Sequence, residues 1–109
     1  RNNTIMALVE SPVEGDLYEV KLSKNEYTIY RVFWLLGDSI KVYPQIDIVA
    51  EKDSLKTLIA KDTLNIYTFK NGLYKKQPVM YTVPLLKEDV EKGKILNVHR
   101  FTKFRKAQR

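Results

Sequence analysis

The chain has 109 residues, 44% apolar and 29% charged, with a formal charge of +6 and no cysteine. That length predicts one domain, the apolar fraction is enough for a packed interior, and the lack of thiols excludes disulfides, cysteine nucleophiles, thiolate zinc sites and iron–sulfur clusters. The charge is uneven: five of the last ten residues are basic and none is acidic, so residues 1–99 hold 14 Lys/Arg against 13 Asp/Glu.

In chain order, residues 1–15 read as a lead-in, with an apolar stretch over 5–9 followed by the breakers Ser11-Pro12 and Gly15. From Asp16 the period becomes two. Tyr18, Val20 and Leu22 share one face of a strand while Glu19 and Lys21 point the other way. Ser23-Lys24-Asn25 makes a turn, and residues 26–36, dense in β-branched and aromatic side chains, form a strand that is apolar on both faces. After Gly37-Asp38-Ser39, even spacing of Ile40, Val42, Ile46 and Ile48 predicts a third strand, with an edge or bulge at Pro44. Residues 16–48 are therefore a three-stranded meander.

Residues 51–61 carry Leu55, Leu58 and Ile59 at helical spacing, with Asp53 as the N-cap candidate. A strand is predicted over 64–70. Asn71-Gly72 then gives a type I′ hairpin, and a returning strand broken by Gln77-Pro78 resumes over 79–83. Pro84 opens a second helix with Leu86 and Val90 inward, flanked by the outer i,i+4 pairs Lys87–Glu91 and Glu88–Lys92, and Gly93 ends it. A last strand runs over 94–101 with Leu96 and Val98 on one face. These elements predict a mainly β domain with minor helix over 16–101: a small curved antiparallel sheet, or a partly open SH3-like barrel, with one or two short helices. Residues 102–109 form a basic tail without periodicity, expected to be flexible.

Little in the sequence points to catalysis. His99 is the single histidine, and the serines (Ser11, Ser23, Ser39, Ser54) lie in no nucleophile-elbow context, so a triad or a histidine metal site lacks its parts. Glu14, Asp16 and Asp38 lie near turns, where capping of backbone N–H groups explains them. No phosphate loop, HExxH or EF-hand spacing occurs. The chain is accordingly expected to be non-enzymatic and to need no cofactor or metal.

Two features point to binding. The chain has seven Tyr, four Phe and one Trp, and Tyr27, Tyr30, Phe33 and Trp34 fall on one strand. Alternate members must face opposite ways, so core packing takes some and a contact surface takes others. The basic residues Arg100, Lys103, Arg105, Lys106 and Arg109 are candidates for contact with phosphate, on nucleic acid or lipid headgroups.

The run Gly15-Asp16-Leu17-Tyr18-Glu19-Val20, with Tyr27-Thr28, Arg31-Val32, Asp38-Ser39-Ile40, Gly93-Lys94-Ile95 and Arg100, resembles a group of small uncharacterised Bacteroidetes proteins. Their usual layout, an N-terminal hydrophobic anchor before a soluble β-rich domain, implies a membrane tether upstream of Arg1 and a place in the cell envelope. No activity comes with the resemblance. The leading expectation is a binding or interaction domain with a protein partner or a second copy of itself. The alternative, a nucleic-acid-binding SH3-like module using the basic tail, is weakened by the near-neutral body.

Overall fold

The computed structural model describes residues 2–64 and 72–101. The strand expected over 64–70, the Asn71 half of the hairpin and the tail at 102–109 lie outside them, except Leu64, which ends a helix. In chain order the elements are α1 (Asn2–Glu10), β1 (Leu17–Ser23), β2 (Glu26–Leu36), β3 (Ser39–Pro44), a 3₁₀ turn (Lys52–Ser54), α2 (Leu55–Leu64), β4 (Val79–Tyr81), α3 (Val83–Glu91) and β5 (Ile95–His99). The strands form one open antiparallel sheet in the order β4-β3-β2-β1-β5. The protein is thus mainly β, with a five-stranded sheet that does not close and three short helices.

The meander stands as β1, β2 and β3. Leu36 pairs with Ser39 across a two-residue turn whose first residue, Gly37, has φ +59. A positive φ at the first central position is the II′ pattern, whose twist matches that of the flanking strands. Pro44 comes at the end of β3, beyond Val42, the last β3 residue paired with β4, so its missing donor breaks no β3–β4 pairing. The even spacing does not continue past it: Gln45 is buried, while Ile46 and Ile48 are exposed.

One face of the sheet is built from Tyr18, Val20, Tyr30, Val32, Ile40, Val42, Tyr81, Ile95 and Val98. Ile5 and Val9 of α1 and Leu86 and Val90 of α3 close it. The lead-in is therefore a helix over most of its length. Its i,i+4 pair Ile5–Val9 is the inward stripe, and Lys87 of α3 reaches Glu10 of α1 at 2.9 Å instead of its own helix partner. In α3, the Thr82 hydroxyl caps the Leu85 N–H, Pro84 sits in the first turn, and Gly93 follows the C-cap with φ +78.

The second face carries Leu17 and Ile29 against Leu55 and Leu58 of α2, with Tyr27, Val49, Ile59 and Phe101 at its margin. Asp53 is not the N-cap of α2. It lies inside the 3₁₀ turn, whose own cap, Glu51, makes no side-chain hydrogen bond. In β5 the inward residues are Ile95 and Val98 rather than Leu96 and Val98. Val20 pairs with Ile95 and Glu19 with Asn97, so Leu96 is the extra residue of a bulge that changes which side chains face inward.

Candidate functional site

Three polar arrangements and one apolar one stand out on this frame. His99 of β5 lies beside Glu19 of β1, Nε2 to Oε2 2.6 Å, and stacks on Phe101. It has an orienting carboxylate but no nucleophile in the contact, and it sits on a strand opposite Leu17.

Asp16, buried at the entry to β1, accepts a hydrogen bond from the Val13 N–H and a bidentate pair from Arg100, Nε at 2.9 Å and Nη2 at 2.8 Å. The same Nη2 donates to the Leu8 and Ser11 carbonyls. Arg100 thus ties the end of α1 to the end of β5, and the Asp16 carboxylate raises its pKa. Of the candidate phosphate contacts, Arg100 is held in this clamp; Lys103, Arg105, Lys106 and Arg109 lie outside the described residues. Nearby, burial pushes the Tyr18 hydroxyl pKa up, and that hydroxyl has no hydrogen-bond partner among the described residues.

On the second face Arg31 meets Asp62 of α2 at 3.2 Å, and both meet the Tyr74 hydroxyl, which donates to Asp62 Oδ1 at 2.6 Å. Gln45 Nε2 donates to Asp62 Oδ2 and to the Leu58 carbonyl. Burial pushes the Asp62 carboxyl above the usual carboxylate range, against the pull of Tyr74 and Arg31. The Arg31 guanidinium lies 5.1 Å over the Phe33 ring, which packs edge-on against Tyr43 and Tyr74. The network pins α2 and the segment carrying Tyr74 onto β2; all its polar groups are deep, so its role is positional.

The apolar arrangement is the tip of the β2–β3 hairpin. A register shift at Phe33 pairs Trp34 with Lys41, Leu35 with Ile40 and Leu36 with Ser39. Trp34, Leu35 and Leu36 are 53%, 37% and 58% exposed, and Met80, opposite Lys41 on β4, is 49% exposed. The Lys41 ammonium sits 4.5 Å over the Trp34 ring. On the other side of the ribbon, Leu35 and Ile40 line an open groove of about 560 Å³ with Pro12, Val83 and Pro84. Three consecutive exposed large apolar residues at the end of a strand need a reason beyond folding.

The four candidate aromatics of β2 do not share a surface. Tyr30 lies in the core under α1 and α3, Tyr27 borders the α2 cluster, Phe33 is half-buried against Tyr43 and Tyr74, and Trp34 stands in solvent. Leu35, Leu36, Lys41 and Met80 complete the exposed tip and were not singled out from the sequence. The signal was three apolar residues running straight into the turn residues Gly37-Asp38.

Among the described residues no group of three His, Asp or Glu could hold a metal ion, and no helix is long and apolar enough to cross a membrane. No family model, curated protein or solved structure gives a significant match to the chain.

Proposed function

We propose that the protein is a non-enzymatic interaction domain whose contact surface is the tip of the β2–β3 hairpin. The observation that carries this reading is the run Trp34-Leu35-Leu36, exposed at the end of β2 beside the two-residue turn Gly37-Asp38. An exposed apolar run lowers solubility unless something covers it, and the turn holds it in one shape before contact, which reduces the ordering cost of binding. The resemblance to anchored Bacteroidetes proteins supports a tether of about 20 apolar residues upstream of Arg1 and a place in the cell envelope; the full-length gene sequence tests that part directly.

A photo-crosslinking residue at position 34, compared in cells with one at Lys56 on the exposed side of α2, tests the surface. Adducts with protein or lipid at position 34 and not at position 56 are expected. Equal labelling, or none at either position, sinks the reading. The alternative, an SH3-like nucleic-acid-binding module, has the charges of 102–109 in its favour. The described residues, however, balance 13 Lys/Arg with 13 Asp/Glu, where a phosphate-binding body would carry an excess of positive charge. Affinity for duplex or single-stranded nucleic acid that falls steeply with salt would revive it.

A further inference from the structure

Resting on the hairpin-tip reading, we propose that the partner of the tip is a second copy of this chain, docked about a two-fold axis on the face that carries Trp34, Leu36 and Met80. The unoccupied apolar surface of the tip is one-sided. Leu35 pairs with Ile40 on the first face of the sheet and there lines the groove of Pro12, Val83 and Pro84. Trp34 and Leu36, two residues apart on β2, share the opposite face with Lys41, the partner of Trp34 on β3, and with Met80, the partner of Lys41 on β4. A one-sided strip suits a facing protein surface.

Charge decides which protein. The strip runs between two groups of opposite sign: the Asp38 carboxylate, exposed at the apex of the turn, and the Lys41 ammonium over the Trp34 ring. Among the described residues neither has an ion-pair partner. Along the ribbon from the apex the order is Asp38, Leu36, then Trp34 level with Lys41. Turning a second copy through 180° about an axis normal to the strip, midway between Leu36 and Trp34, lays each Trp34 against the Leu36 of the other copy. The same turn brings each Asp38 to the end of the ribbon where the other copy holds Lys41. An isologous contact requires such a face, one whose apolar centre and opposite charges exchange places under the axis. A partner face of uniform sign would attract one of the two charges and repel the other. Three apolar side chains from each copy make a small contact beside the roughly 20–30 residues a side of a standard interface, so the dimer is weak and forms at high concentration.

The chain has one tryptophan, so its fluorescence reports the tip alone. Sedimentation of the full chain, at concentrations raised to about 1 mM, should show a monomer–dimer equilibrium, and Trp34 should become shielded from an aqueous quencher over the same range. Leu36→Ser, which takes one side chain from each copy, should weaken association at least about tenfold. Asp38→Lys and Lys41→Asp should each leave the chain monomeric over that range, because each gives the tip two like charges. Mixing these two variants should restore association, since each tip then faces the opposite sign, a recovery that a folding defect does not produce. Dimerisation that all three substitutions leave unchanged places the contact elsewhere and overturns the inference. So does a chain that stays monomeric to about 1 mM with Trp34 open to the quencher. In either case, adducts at position 34 in cells with lipid or a different protein keep the tip as a contact surface; with no adduct there, both readings fall.

Discussion

The two faces of the sheet are made by the same strands and solve burial differently. The first is apolar across its width and lies under two helices, with Leu86 and Val90 from α3 and Ile5 and Val9 from α1 filling it. The second has one helix, a smaller cluster around Leu17, Ile29, Leu55 and Leu58, and beside it a buried network centred on Asp62. Past that network, the second face ends in solvent at Trp34, Leu36 and Met80. A doubly covered face supplies cohesion. The singly covered face fixes, through directional bonds, how α2 and the Tyr74 segment sit, and leaves its far end exposed.

The comparison breaks first at Asp62. Replacing it with Ala leaves Arg31 buried without its carboxylate and should cost about 3–5 kcal/mol in urea unfolding. Replacing the pair together, Arg31→Met with Asp62→Leu, should recover most of that loss, because desolvation of both charges disappears with their attraction. A single substitution costing under about 1 kcal/mol would mean that the network does not hold the second face. On the first face the same measurement on Leu86→Ala should show a loss of about 3 kcal/mol, from apolar burial and the cavity left behind. There a paired replacement has no charge to rescue.

The faces also differ in pH response. With the folded Asp62 pKa raised, the unfolded chain loses this proton first as pH rises. Between the ordinary carboxylate range and the raised value the folded state holds more protons, so this group's contribution to stability falls with increasing pH. Unfolding of wild type and Asp62→Asn across that window should show a downward slope in the wild type that the variant lacks; parallel profiles would remove the effect. A smaller change is expected at Tyr18→Phe. Its hydroxyl is buried with no partner among the described residues, so its removal should be neutral or stabilising by about 1 kcal/mol in thermal unfolding.

How much of this was legible in the sequence follows from the range of each signal. Alternation at Tyr18–Val20 and Ile40–Val42 and the Pro84–Gly93 punctuation of α3 are local and present in the structure, whereas Leu22, expected to share the face of Tyr18 and Val20, is 36% exposed at a register shift between Lys21 and Ser23. Ile5 and Val9 carried a helical stripe in a segment short enough to pass for a lead-in. The bulge at Leu96 hid the register of β5, because one extra residue reverses every side chain after it. The Asp62 network joins residues 31 and 43 positions apart in sequence, and no local pattern announces such a meeting. Trp34 was visible as an aromatic on a two-faced strand. That Tyr30 beside it would be buried and Trp34 open depended on where the helices stop.

The smallest expected effect bears most directly on the tip. Leu36→Ser should change stability by no more than about 0.5 kcal/mol, since an exposed side chain leaves no cavity and strands no polar group. Trp34→Ser should cost no more than about 1 kcal/mol, the worth of an exposed cation–π contact with Lys41. Both variants should be more soluble than the wild type, because they shorten an exposed apolar run. Thermal unfolding beside a solubility measurement separates the alternatives. A loss of several kcal/mol at Trp34 would make the indole part of the fold and remove the case for contact. Unchanged stability with raised solubility would leave two large apolar side chains, Trp34 and Leu36, that folding does not require, held beside a two-residue turn at the end of the sheet.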